Sequence, residues 1–423
     1  MRSRKLTALL MTTALCATAL FGCGDSDEKT TTSANNGSQA AEDEEKTLTL
    51  TVWSPENEQK EENGKWLQTM CEKFNTEHPK WNITFKYETC SEGDAGTKVS
   101  ADPTAAADVY MFANDQLTTL INCGGIARLG GDTETYVKNT NSDTIVDSVS
   151  VDGAVYGIPF TTNIWFMYYD KTVFSEDDVK NLDTMLEKGK VAFPLENSWY
   201  IQSFFLATGC TIGPDSDPGF DLANEGGYEA GEYMIGLVNN PNFMVGEGVA
   251  LLQDGQAAAV FSGSWDLNSA KEFLGDNLGV AAIPTINTTN GDGQLRAFAG
   301  SKAIGVNPNC KEQKVAVELA KFLASEDAQK AHYELNGVVP CNTALLEDPV
   351  ISSDPIFIAQ NESFDKASIL QQTYLNDATW WDASKALTQS IISKDTTSAN
   401  IKEQVQALQD LLTEKLEAAM SAE

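Results

Sequence analysis

Few residues in this chain of 423 could do covalent chemistry. It has two histidines, His78 and His332. His78 precedes Pro79 in a loop after a helical stretch, and His332 sits beside Tyr333 in another. Neither stands in a Ser/Asp or Cys/Asp setting of the kind nucleophilic catalysis uses. No H-x-x-x-H pair, P-loop or G-x-G-x-x-G turn occurs, so both histidines read as structural. Glycoside hydrolysis would need only two carboxylates about 5–10 Å apart, and 61 acidic residues leave that possibility open. The chain also carries eight Trp. Trp380 and Trp381 are adjacent, and helix neighbours point about 100° apart, so the two rarely serve one core stripe. Cys71, Cys90, Cys123, Cys210, Cys310 and Cys341 form no C-x-x-C metal or redox motif. Disulfides, with Cys71–Cys90 closing the shortest loop, and buried free thiols are equally open readings.

The first residues say where this chemistry is placed. Arg2, Arg4 and Lys5 precede an uncharged stretch, Leu6 to Phe21, that ends at Leu20-Phe21-Gly22-Cys23. That order describes a secretory signal peptide over 1–22. The stretch is too short for a membrane span of about 20 residues. The Cys after a small residue resembles a bacterial lipobox, in which Cys23 receives the lipid (palmitate) and becomes the mature first residue. Phe21 departs from the smaller residue usual there. Residues 23–46 are almost all small, polar or acidic, with no apolar surface to offset their ordering entropy, and read as a tether. Net charge is −32. Residues 1–22 carry three basic and no acidic residues, so their removal leaves −35. That charge excludes nucleic acid as a partner and suits a soluble surface protein.

The body must supply the frame. Thr47 to Trp53 alternates as a strand does. Trp66, Leu67, Met70, Cys71 and Phe74 recur at helical spacing. Strands follow at Ile83–Tyr87 and Asp108–Phe112, then a helix through Leu117, Leu120 and Ile121 that stops at Gly124-Gly125. Asp152-Gly153 marks a hairpin, and Asn163 to Tyr169 a further strand. A second run has helices near 176–188, 199–208, 226–239 and 247–254, with strands near Ala257–Phe261 and Leu278–Ile283. Ser301–Val306 reads as a return strand, followed by helices near 312–335. A last helix near 398–420 carries Ile401, Val405, Leu408, Leu411, Leu412 and Leu416 on a stripe. The alternation predicts an α/β fold with a mainly parallel sheet, in two lobes with a ligand cleft between them.

The order of segments resembles the extracellular solute-binding protein family 1, and within it the maltose/maltodextrin-binding branch. The resemblance runs from about Leu48 to Leu408. Leu50-Thr51-Val52-Trp53 resembles the first strand. Ala107 to Asp115 is similar to the "P-D-[IV]-hydrophobic" strand and its loop. Asp152-Gly153 through Tyr156-Gly157-Ile158-Pro159 resembles "G-K-x-Y-x-[IV]-P", and Tyr169-Asp170-Lys171 resembles "Y-[ND]-K". Gly255-Gln256-Ala257-Ala258-Ala259-Val260 with Ser262-Gly263-Ser264-Trp265 resembles "G-x-[AT]-A-M…G-x-W".

The resemblance implies a class II periplasmic-binding-protein fold that closes by hinge motion. Its three crossings would fall near Pro159–Asn163, Phe298–Ser301 and Asn342–Pro355. Lobe 1 would then be 47–160 plus 302–345, and lobe 2 161–301 plus 346–423. It implies no enzyme and no cofactor, but a lipid-anchored, monomeric binding component of an ABC importer on the outer face of the cell membrane. Its partners would be an oligosaccharide of the α-glucan kind, together with permease subunits and their ATPase. Sugar rings offer C–H faces to flat aromatics and hydroxyl edges to polar side chains. The resemblance places Trp265, Trp380, Trp381, Trp199 and Phe112 at the family's aromatic contact positions, and these are the expected stacking residues. Asp115, Glu56, Asn57, Gln116, Asn163 and Asn197 are the expected polar contacts. Gln116 stands where the branch usually has Arg, and Asn163 and Asn197 where it has Glu. Another oligosaccharide, a polyamine or a peptide are the alternative solutes, and a glycan-acting enzyme is the remaining alternative.

Overall fold

The computed structural model describes residues 45–376 and 378–421. The expected signal peptide, the lipidation site Cys23 and residues 23–44 of the tether lie outside the described residues.

The first sheet opens with β1 (Lys46–Ser54), paired in parallel with β2 (Trp81–Thr89) and β3 (Val109–Ala113). Between β1 and β2 lies α1 (Trp66–Glu77), whose Trp66, Leu67, Met70, Cys71 and Phe74 are all buried as their spacing predicts. A short helix, α2 (Leu117–Asn122), follows β3. The Asp152-Gly153 hairpin is present, with φ of 52° and 74° at its two central residues, as a primed turn requires. It leads into β4 (Ile158–Asn163).

The second sheet runs in the order β7-β6-β8-β5-β9. Its strands are β5 (Phe166–Asp170), β6 (Val191–Phe193), β7 (Phe243–Val245), β8 (Ala259–Ser262) and β9 (Leu278–Ala281). Strands β6, β7 and β8 are parallel, while β5 runs antiparallel to both β8 and β9. Helices α3 (Ser198–Ala207), α4 (Glu225–Asn239) and α5 (Leu267–Leu274) belong to this half.

Strand β10 (Ala297–Val306) joins the two halves, and it is longer than the expected Ser301–Val306. Its beginning pairs in parallel with β11 (Ser368–Leu370), and its end runs antiparallel to β3 and β4. Ala297, Phe298 and Ala299 pack in the second-half core, whereas Ala303, Ile304 and Val306 pack in the first. At the changeover Gly300 leaves room for Asn114, whose side chain would have to move if a Cβ stood there, 2.3 Å away. The first sheet is therefore mixed rather than mainly parallel, since a strand returning from the second half meets β3 head to tail.

Further helices are α6 (Gln313–Leu323), α7 (Glu326–Asn336), α8 (Pro355–Lys366), α9 (Trp380–Ile392) and α10 (Ile401–Met420). Ile401, Val405, Leu408, Leu412 and Leu416 of α10 are buried, and Leu411, expected on the same stripe, is exposed. Core membership places the first crossing between Phe160 and Ile164 and the second between Ala299 and Ala303. The third is a correction. Ala328 packs in the first core, but Val339 and Leu345 pack on the second sheet. This crossing lies before Val339 rather than at Asn342–Pro355, and the boundary drawn at 345 moves with it. The six cysteines among the described residues are free thiols.

Candidate functional site

Two cavities, of about 280 and 370 Å³, share Glu92, Trp265 and Lys302 in their walls. The first also takes Asn57, Glu58, Thr161, Thr162, Ser264 and His332. The second takes Asp115, Asn163, Asn197, Trp199 and Trp381. Both draw walls from the two halves, so together they form a cleft divided at Trp265.

Trp265 is positioned by its own turn. After β8 the chain passes Gly263 at an ordinary φ of −110° and enters α5. The indole folds back over Gly263, where a Cβ would lie 2.0 Å from Cζ3. The Tyr168 hydroxyl donates to the Gly263 carbonyl at 2.8 Å and fixes the turn. Lys302 Nζ lies 4.5 Å from the Trp265 ring centroid, a cation–π contact, and 3.5 Å from Glu92 Oε1.

Trp199 starts α3, where Asn197 is the cap. Asn197 Oδ1 accepts from the Trp199 backbone N–H at 3.1 Å, and Nδ2 donates to Glu247 Oε1 at 3.0 Å. The Asn197 amide therefore shapes the wall while already holding two partners. The Trp199 and Trp265 centroids are 6.3 Å apart, and Trp199 Nε1 donates to Gln371 Oε1 at 3.0 Å.

The adjacent Trp380 and Trp381 take different environments. Thr379 holds φ 58°, a left-handed conformation that is unusual for a β-branched residue, and α9 begins at the next residue. Trp381 lines the cleft. Trp380 is fully buried, stacked on Phe220 at 6.1 Å with its Nε1 donating to the Ser198 carbonyl. Trp380 is thus a core residue and not a cleft residue. Phe112 is corrected likewise: it is a wholly buried residue of β3, with its ring filling the space beside Gly157.

Among the expected polar contacts, Asp115 and Asn163 line the wider cavity and Asn57 the narrower. Asp115 Oδ2 accepts from Gln116 Nε2 at 2.8 Å, while its buried Oδ1 has no protein partner. Burial raises the Asp115 pKa, partly opposed by Gln116 and Lys302. Gln116 thus holds a wall residue and is not itself among the residues lining either cavity. Asn163 is buried against Asn114. Glu56 is exposed and is not among the lining residues.

The structure adds Glu58, Glu92, Lys302 and His332 to the cleft. Lys302 had a signal in the sequence, as the one charge in an otherwise apolar return strand. Glu58 follows β1 and His332 lies in α7, 274 residues further along the chain, so no local spacing joins them. Glu58 Oε2 lies 2.6 Å from His332 Nε2, off the axis of a hydrogen bond, and accepts from Asn336 Nδ2 at 3.0 Å. The His332 ring stacks on Trp66 at 4.4 Å. The cleft thus holds three carboxylates, each already engaged by a neighbour, against one lysine. That balance disfavours an anionic ligand and leaves hydroxyl-sized polar groups beside flat rings. Among the described residues no cluster of His, Cys, Asp and Glu could hold a metal ion, and no helix is long and apolar enough to cross a membrane.

Residues 69–359 match the family model described as bacterial extracellular solute-binding protein. A galactooligosaccharide-binding protein of Bacillus subtilis (strain 168) is 25% identical over 384 residues, covering 83% of this chain and 84% of its own length. The maltodextrin-binding protein MdxE of the same strain is 25% identical over 339 residues, covering 73% of this chain and 78% of its own. One solved structure, with acarbose, is 46% identical with a TM-score of 0.84, covering 87% of this chain and 99% of its own. The maltodextrin binding protein MalE1 from L. casei BL23, without ligand, is 25% identical with a TM-score of 0.77, covering 86% and 98%. The two halves and their crossings are those of the two-lobed class II periplasmic-binding-protein fold, and the chain belongs to the bacterial extracellular solute-binding protein family.

Proposed function

We propose that this protein captures an oligosaccharide of the maltodextrin type in the cleft between its lobes and delivers it to an ABC permease and its ATPase. The observation that carries the reading is the meeting of Trp199, Trp265 and Trp381 on one cleft. Flat indoles suit the C–H faces of sugar rings. Asp115 Oδ1, buried without a protein partner, suits a hydroxyl donor. The maltodextrin-binding relative and the 46%-identical structure with acarbose support the same ligand class. The galactooligosaccharide-binding relative keeps a second sugar class in view.

The protein binds without catalysis in this reading, and it acts outside the cell, anchored through a lipid on Cys23. The sites are Trp199, Trp265, Trp381, Asp115, Asn57, Asn163 and Asn197, with Glu58, Glu92, Lys302 and His332 added. A calorimetric screen tests it with maltose, maltotriose, longer maltodextrins, galacto-, xylo- and fructo-oligosaccharides, spermidine and short peptides. Saturable heat with maltodextrins and no product after hours of incubation is the expected outcome. Binding of spermidine or a peptide alone would sink the sugar reading, and released glucose would sink the non-enzymatic one.

A further inference from the structure

The segment from β11 into α9 holds two of the cleft indoles and also reaches the opposite lobe. Trp199 Nε1 donates to Gln371 Oε1 at 3.0 Å, and Trp381 Nε1 donates to Asn376 Oδ1 at 2.5 Å. The other end of the Asn376 amide, Nδ2, donates to the backbone carbonyl of Asp115 at 3.3 Å. Asp115 follows β3 of the first lobe, whereas Trp381 lies in the second-lobe core's partly buried shell. Asn376 and Asp115 also share the wall of a third, narrow cavity with Asp147 and Asp215.

Described residues of the segment on both sides of 377 are held by hydrogen bonds. Gln371 N–H donates to the Ala299 carbonyl at 2.9 Å, Thr373 N–H to Asp215 Oδ1 at 2.8 Å, and Thr379 N–H to the Asn376 carbonyl at 3.0 Å. Thr379 then carries the left-handed turn into Trp380 and Trp381.

We propose that Asn376 is the latch between ligand stacking and lobe closure, a positioning residue that acts through Trp381 and Asp115. The proposal rests on the reading of the cleft as a sugar site. An amide is planar, and its oxygen and nitrogen cannot turn independently. An indole that swings away from the cleft takes Oδ1 with it and misaligns Nδ2 with the Asp115 carbonyl. A sugar ring lying on Trp381 fixes the indole, and so orients the donor that ties the second lobe to the first. The same bond steadies the Asp115 backbone beneath the carboxylate that faces the sugar.

Three variants test this, with equal thermal midpoints as the control for folding. Asn376→Asp keeps the acceptor for Trp381 but loses the donor to Asp115. Asn376→Ala loses both, and Trp381→Phe keeps a stacking ring without its N–H. Stopped-flow Trp fluorescence with maltotriose gives the rates and the amplitude. The N376D protein should keep the wild-type amplitude while its Kd rises about tenfold, through a faster off-rate, as loss of one hydrogen bond predicts. N376A should lose amplitude as well. W381F should show the off-rate change of N376D. Identical behaviour of N376D and N376A, or of N376D and wild type, overturns the latch. Hydrogen exchange without sugar separates this from failure of the sugar reading. If wild type binds no maltodextrin, faster exchange at residues 113–117 in N376D still supports the latch, and unchanged exchange overturns it.

Discussion

Adding one methyl group at Gly263 should disable the central indole without unfolding the protein. The Gly263 backbone is ordinary, at φ −110° and ψ −176°, so Ala costs no backbone strain there. Its Cβ, however, would lie 2.0, 2.2 and 2.4 Å from Cζ3, Cη2 and Cε3 of Trp265. Ordinary contact needs about 3.5–4.0 Å, so the ring must move by about 1.5 Å or swing to another rotamer. Lys302 stands over that ring at 4.5 Å and loses its seat with it. A sugar ring lying on one indole face removes about 60–80 Å² of apolar surface from water, worth about 1.5–2 kcal/mol. Gly263→Ala should therefore raise the Kd for a maltodextrin about ten- to thirtyfold. Trp265→Ala should bring a loss of the same order. The assay is calorimetric titration beside thermal unfolding, and the thermal midpoint should shift by no more than a few degrees. A G263A protein that binds as wild type does, with Trp fluorescence unchanged on titration, would refute the placement of Trp265 at the ligand.

The two adjacent indoles should separate in mutation. Trp380→Ala opens a core cavity and should cost about 3–5 kcal/mol of stability in denaturant unfolding, while Trp381→Ala should weaken sugar binding with little effect on stability. Asp115→Asn should change the pH dependence of stability. Burial raises the Asp115 pKa in the folded protein, so its contribution is complete below the unfolded value near about 3.9 and is lost as pH rises through the folded value. Thermal unfolding should show the variant gaining on wild type at pH 7, with the gain vanishing towards about pH 3. The free thiols predict that a reductant leaves the thermal midpoint unchanged. Burial pushes the Cys71 and Cys310 thiols up to about 12, so a thiol reagent should reach the half-buried Cys123 first and the buried ones only on unfolding.

Periodicity revealed elements wherever one face packs and the other does not. The α1 stripe and the Asp152-Gly153 hairpin are both where their residues predict them. Strand β10 was half-legible, because its first residues pack in one lobe and its last in the other, so a single strand reads as a loop and a return strand. The third crossing was misplaced although Gly337, at φ 69°, and Pro340 mark the turn after α7, because such a turn does not say which core the next apolar residues join. At the site, Trp199, Trp265 and Trp381 were legible through the resemblance to the solute-binding family, whose aromatic contact positions they match. Trp380 could not be told from Trp381, since a left-handed Thr379 decides which of the pair meets the core. Glu58, His332 and Asn336 meet only because α7 returns to the start of α1, and no spacing in the chain encodes that.

Titration of the purified protein with maltotriose, followed by heat and by Trp fluorescence together, tests the account most directly. It predicts a saturable single-site isotherm with a matching fluorescence change, and in Trp265→Ala a Kd about ten- to thirtyfold higher with a smaller fluorescence change. Absence of saturable binding by any maltodextrin, with saturation by spermidine or a tripeptide instead, would contradict it.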